Sequence, residues 1–202
     1  KEGKMSSRTG NVVLAEALLD DVQEAVRKIM KDHDVPKKNQ VVKVVADAAV
    51  KYAILRNQVS ADVLFDMKES VSLSGDSGPY LLYIVARIKS IMRKYQITNP
   101  KLQTNIKLQI PKKIEPAEKQ ILLHIARFPE ATQEAAQKYD PSRIAHYLFD
   151  LAQTFNAFYH DCPVLQAEDP AARAFRLELI NAVSIVMSKG LFLLGIKTVD
   201  EM

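Results

Sequence analysis

Two stretches carry side chains whose types and spacing could do chemistry. The first is Lys4-Met5-Ser6-Ser7-Arg8-Thr9-Gly10-Asn11, with two cations within five residues, small hydroxyls between and after them, and glycines at 3 and 10 on its flanks. Such a loop can close on phosphates, and it aids catalysis where its cations meet charge developing on a pyrophosphate. Composition alone favours a plainer reading, a polar tail. The second stretch begins at Tyr80. At 100° per residue from Tyr80, a helix places Leu81, Ile84, Val85, Ile88, Ile91, Met92 and Tyr95 between about 20° and 140°, a face for the core. Tyr80, Tyr83, Arg87, Ser90 and Lys94 fall between about 280° and 360°, with Lys89 and Arg93 on a basic back near 180° and 220°. Aromatic rings beside cations suit single-stranded RNA, because rings stack on exposed bases while cations hold phosphates. The competing reading makes both tyrosines rim residues of the core.

Charge distribution favours the RNA reading. The 202 residues hold 28 Lys and Arg against 24 Asp and Glu, a net of +4. Residues 1–76 are balanced and residues 115–202 are acidic. Residues 77–114 carry eight cations (Arg87, Lys89, Arg93, Lys94, Lys101, Lys107, Lys112, Lys113) and no Asp or Glu. A local charge of that size without carboxylates to repel phosphate points to a polyanion.

Other chemistries find little support. Cys162 is the single cysteine, so no internal disulfide forms, which fits a reducing cytoplasm. Cys162 and His160 are two candidate ligands, too few for zinc, and no metal site is expected. His33, His124 and His146 are scattered, with no sign of a nucleophilic triad. The polar opening has no hydrophobic leader, so no secretory signal is expected, and the longest apolar run, 179–188, is too short to span a bilayer. The chain opens on Lys1 instead of Met, which hints at a piece of a longer protein.

The elements that must position these residues are helices. Apolar periodicity predicts helices over 14–31, with Leu18, Val22, Val26 and Ile29 on one face, and over 39–56, separated by Pro36. Residues 61–74 fit a short extended piece or a helical turn. The block Gly75-Asp76-Ser77-Gly78-Pro79 is a loop running into the basic helix, which reaches about residue 95, and 96–114 is a linker. Further helices start at Glu115-Pro116, Pro129-Glu130, Asp140-Pro141 and Asp169-Pro170, the last ending near Gly190 as its C-cap. Within 140–161, Ile144, Leu148, Leu151, Phe155 and Phe158 form a buried seam, and Asn156, Tyr159 and His160 lie on its flank. The expected fold is all-α: a helical bundle preceded by a smaller helical segment, with strand signals nearly absent.

These residues also resemble a family. Lys4-Met5-Ser6-Ser7-Arg8 resembles the KMSKS loop of class I aminoacyl-tRNA synthetases, and the run from Met5 to Val13 is similar to the arginyl-tRNA synthetase version. Phe65-Asp66-Met67, the block Gly75-Asp76-Ser77-Gly78-Pro79-Tyr80-Leu81-Leu82-Tyr83 and Ala86-Arg87-Ile88 resemble that family's passage into its anticodon-binding domain. Tyr147 to Tyr159, Gly190 to Ile196 and the terminal Glu201-Met202 continue the likeness in order.

The resemblance implies residues 1–75 as the end of a catalytic region and 76–202 as an anticodon-binding domain of the type named for its Asp-Ala-Leu-Arg motif. It implies an arginine–tRNA ligase, cytoplasmic and monomeric when whole, using ATP with Mg2+ to activate arginine for transfer to its tRNA. Lys4, Ser6, Ser7 and Arg8 would line the pyrophosphate side of ATP. Tyr80, Tyr83, Arg87, Asn156, Tyr159 and Met202 would surround the anticodon loop. Ser7 stands where the general signature has lysine, so Arg8 is the alternative phosphate contact. The family's nucleotide fold precedes this loop, so the fragment alone is expected to bind no cofactor, to lack activity and mainly to bind tRNA. The rival readings are a stand-alone helical RNA-binding module and a helical protein-interaction bundle.

Overall fold

The computed structural model describes residues 14–32, 34–98 and 111–202, and every regular element among them is a helix. These are α1 (Ala15–Ile29), α2 (Lys38–Leu55), α3 (Met67–Ser70), α4 (Gly78–Thr98), α5 (Pro116–Ala126), α6 (Phe128–Lys138), α7 (Ser142–Asp161) and α8 (Pro170–Leu193). The expected all-α class is observed. The ambiguous 61–74 stretch resolves into one helical turn, α3, whose Asp66 side chain caps the Glu69 N–H at 3.0 Å.

Prolines and acids start the later helices for a physical reason. Pro116 and Pro170 sit in first turns, where their missing N–H costs no helical bond. Glu115 and Glu118 close a capping box on α5, and Asp169 caps the Ala171 N–H of α8. Glu118 is fully buried, and its other oxygen meets Arg176 Nε at 2.6 Å, which balances its charge inside the α5–α8 contact.

The core is continuous. Val22, Val26 and Met30 of α1 pack toward Val42, Val45 and Ala49 of α2, which join Leu81, Ile84, Val85 and Ile88 of α4. The α7 seam and Phe175, Leu179, Ile180, Val183 and Met187 of α8 complete the same cluster. Met30 takes the buried position at the end of α1, and Ile29, assigned to that face from periodicity, is 40% exposed.

Two close approaches fix α4. A Cβ on Gly78 would lie 2.2 Å from the Ala48 carbonyl oxygen, so only glycine lets α4 start against α2. Below it, the buried Tyr52 hydroxyl donates to Asp76 Oδ1 at 2.6 Å and lies 3.1 Å from the Ala145 carbonyl of α7. Arg56 binds the Asp76 carbonyl and the Glu69 carboxylate. This knot joins α2, α3, the start of α4 and α7 at the place where the sequence suggests a boundary.

Gly190 does not end α8. It lies inside the helix, where a Cβ would come within 2.5 Å of Leu148 Cδ2, so its role is helix–helix contact. The terminator is Gly195, at φ +68°: its N–H bonds Phe192 O and the Ile196 N–H bonds Leu191 O, the paired bonds of a Schellman ending.

Candidate nucleic-acid interface

α4 and α7 together build the site. The α4 register is set by Ser77, whose hydroxyl accepts the Tyr80 N–H at 3.2 Å and caps the first turn. The α7 register follows from its seam: Ile144, Leu148, Leu151, Phe155 and Phe158 are all buried, which leaves Asn156 and Tyr159 at the edge facing α4.

Four of the residues singled out from sequence meet there. Asn156 Nδ2 donates to Tyr80 Oη at 2.7 Å, and its Oδ1 lies 3.5 Å from Arg87 Nη1. The Arg87 guanidinium carbon sits 4.5 Å from the centre of the Tyr159 ring, a cation–π contact. Tyr159 rests 5.9 Å from Phe155, and Tyr80 meets Phe149 edge-on at 6.1 Å. Arg87 is thus held over an aromatic face and beside an amide, with no carboxylate among these contacts to neutralise it.

Exposure separates the two tyrosines. Tyr80 is 6% exposed, so its ring belongs to the core and its hydroxyl orients Asn156. Burial pushes its phenol up, and the Asn156 hydrogen bond and Arg87 charge offset only part of that shift. Tyr83, one turn before Arg87, is 37% exposed and keeps a ring face for a ligand. The simple wheel misplaced Tyr80 because α4 is covered on more than one side. Leu82 and Ala86, at about 200° and 240° on the same wheel, are also buried.

The basic back of α4 faces the chain's own end. Lys89 Nζ donates to Asp200 Oδ1 at 2.7 Å and to the Val199 carbonyl at 3.3 Å. Arg93 Nη1 donates to the Asp200 carbonyl at 3.1 Å, and its Nη2 pairs with Glu201 at 3.1 Å. These acids lie more than a hundred residues away in sequence, so the acid-free stretch does not show them. Lys113 is likewise paired, with Glu115. Met202 is partly buried against the core.

Other titratable groups add little to the interface. His124, on α5 against Thr154 of α7, is held below its ordinary pKa by burial, which disfavours its charged form. Cys162 is buried at the end of α7, and burial pushes its thiol up, which disfavours the nucleophilic thiolate. His160 is exposed beside it. A groove of about 870 Å³ where α5 and α8 begin is lined by Lys112, Lys113 and Arg176 but also by Glu115 and Asp169, which offset most of its positive charge. Among the described residues no group of three or more His, Cys, Asp or Glu side chains could hold a metal ion. No helix among them is long and apolar enough to cross a membrane. Lys4, Ser6, Ser7 and Arg8, together with Lys101 and Lys107, lie outside the described residues.

Known proteins share this architecture. The family model "DALR anticodon binding domain" matches residues 81–202. An arginine–tRNA ligase of Porphyromonas gingivalis is 33% identical over 207 residues, covering all of this chain and 34% of the relative. One from Treponema pallidum is 36% identical, covering 99% of this chain and 35% of the relative. The arginyl-tRNA synthetase of Thermus thermophilus superimposes with a TM-score of 0.88 at 31% identity, over 100% of this chain and 34% of that one. That of Plasmodium falciparum gives 0.70 at 25% identity, over 93% and 32%. The chain therefore spans about a third of the length of the relatives it matches.

Proposed function

The chain belongs to the DALR anticodon binding domain family, and from that premise we propose that it is the tRNA-gripping part of an arginine–tRNA ligase. The observation that carries this reading is the α4–α7 constellation, in which Arg87 lies over Tyr159 and beside Asn156, with Tyr83 exposed one turn away. Tyr83 offers a ring for an unpaired base of the anticodon loop, and Arg87 supplies a positive charge already fixed in orientation. Asn156 and Tyr159 hold Arg87 and Tyr80 holds Asn156, and in this reading Met202 also lies near the anticodon loop. The ordered arrangement lowers the entropy lost on binding, because these side chains need no new partner to take up position.

In the whole enzyme the reaction is arginine adenylate formation followed by transfer to the tRNA terminal ribose. Lys4, Ser6, Ser7 and Arg8 would face the pyrophosphate of ATP. Mg2+ would supply charge neutralisation of the phosphates when bound, and no described residue is assigned to hold it. Residues 1–75 belong to the catalytic region and 76–202 to the anticodon-binding domain in this reading. A monomer working in the cytoplasm completes it.

The test is a titration of the chain with an arginine tRNA anticodon stem-loop and a scrambled loop of equal length. The reading requires tighter binding of the first, weakened by both Tyr83→Ala and Arg87→Ala. Equal binding of the two loops, or indifference to both substitutions, removes it and leaves a helical protein-interaction bundle. In the same preparation, arginine-dependent ATP–pyrophosphate exchange is expected to be absent, and its detection would overturn the expectation that this part is inactive alone.

A further inference from the structure

The chain's end is tied to α4 by more than its sequence suggests. Leu194, Ile196 and Val199 are each at most 7% exposed, so apolar anchors hold the segment up to residue 199. Lys51 Nζ donates to the Gly195 carbonyl at 2.7 Å and fixes the turn that starts it. Beyond Val199 polar tethers join the partial burial of Met202 against the core: Lys89 takes Asp200 by side chain, and Arg93 takes Asp200 by backbone and Glu201 by side chain.

The path of these tethers has a direction. Lys89 stands near 180° on the α4 wheel and Arg93 near 220°, whereas the Tyr83–Arg87 stripe begins near 280°. Passing from Asp200 to Glu201, the tail follows α4 from Lys89 to Arg93, one turn toward the C-terminal end of the helix, before Met202 packs against the core. The carboxylates also neutralise two cations that would otherwise attract phosphate on the wrong side of the helix.

We propose that Lys89 and Arg93 are positioning residues that strap the segment 200–202 along α4 and so hold Met202 in the place from which the RNA-binding reading has it meet the anticodon loop, instead of contacting RNA phosphates themselves. The proposal rests on the RNA-binding reading above, for which it names an indirect determinant. It separates from simple electrostatics because the two make opposite predictions for Asp200→Lys. That change adds a cation near an RNA site, so charge alone predicts tighter binding. A strap predicts weaker binding, because Lys89 is repelled and the tail lifts.

The experiment has two arms on the full chain. In the first, carboxypeptidase releases Met202, followed by mass spectrometry. Lys89→Ala/Arg93→Ala is expected to accelerate release about tenfold, since exposed ion pairs are weak singly but here control a short end segment. Release at the wild-type rate overturns the strap. In the second, Asp200→Lys is expected to weaken binding of the anticodon stem-loop about threefold, and the charge swap Lys89→Asp/Asp200→Lys to restore it. A phosphate-contact role for Lys89 predicts the reverse: a swap that stays defective and a salt slope reduced by about 0.7–0.9. That outcome, or tighter binding by Asp200→Lys, overturns the proposal. If the wild-type chain binds no stem-loop, the RNA reading falls and positioning with it, a result distinct from wild-type binding that ignores the tail.

Discussion

Two sides of α4 carry similar charge and treat it differently. On the side toward α7, Arg87 is held by a ring and an amide, neutral partners, with no carboxylate among the contacts of the described residues. On the side toward the chain's end, Lys89 and Arg93 meet Asp200 and Glu201, and their charge is spent inside the molecule. The lesson is that a cation's availability depends on the chemistry of what orients it. A neutral scaffold fixes a guanidinium without consuming it; a carboxylate fixes it and cancels its field.

The largest expected effect sharpens this contrast at its exposed edge. Tyr83→Ala removes a ring able to stack on a base and should weaken stem-loop binding by about 5- to 150-fold, the range of about 1–3 kcal/mol per stacked base. Fluorescence titration measures it, and a Tyr83→Phe variant close to wild type would assign the loss to stacking. Next, Arg87→Ala should weaken binding about tenfold and lower the salt slope by about 0.7–0.9, the signature of one lost phosphate contact. An unchanged slope would show that its charge is not read by phosphate. Arg87→Lys keeps the charge but loses the planar contact with Tyr159, so the slope should survive while affinity drops about threefold.

The opposite side gives the smaller effects. Lys89→Ala should change stem-loop affinity by no more than about threefold and leave the salt slope intact, because Lys89 is already paired. A tenfold loss with a flattened slope would erase the distinction between the two sides. The smallest effect concerns pH. The Lys89 hydrogen bond and charge hold the Asp200 carboxyl below its ordinary range. A depressed carboxylate contributes stability at pH above its unfolded value, and that contribution is lost as pH falls through the folded one. The Met202 methyl signal in NMR should therefore move toward its free-chain position only below about pH 3.9, the ordinary aspartate value. In Lys89→Ala the same transition should move up to that ordinary value.

Much of this was legible in the sequence because its causes are local. The seam Ile144, Leu148, Leu151, Phe155 and Phe158 repeats with the helical period, so its burial follows from spacing, and the flanking positions of Asn156 and Tyr159 follow from the seam. Prolines at helix starts are local as well. What failed depended on contacts distant in sequence. Tyr80 lies off the apolar stripe of α4, yet it is buried because α7 brings Phe149 and Asn156 against it. Gly190 looks like a helix terminator until α7 presses Leu148 onto it, and Gly195 takes the left-handed position instead. The pairing of Lys89 with Asp200 spans 111 residues, and no window on the sequence contains both. Nothing in the sequence around Tyr52 singles it out, and only the fold reveals its hydroxyl at Asp76 and Ala145.

That hydroxyl has a consequence for how the molecule comes apart. Releasing α2 from α4 and α7 would break the bonds of the Tyr52 hydroxyl to Asp76 and to the Ala145 carbonyl and those of Arg56 to Asp76, besides uncovering Ala48 and Tyr52 at the Gly78 approach. The segment before residue 76 is therefore poorly suited to opening by itself. Slow-exchanging amides in α2 and in the middle of α7 should share one opening free energy and respond together to denaturant, a single cooperative unit laid across the place where a domain line would be drawn. Tyr52→Phe should split them, letting the α2 amides exchange faster while those of α7 keep their protection.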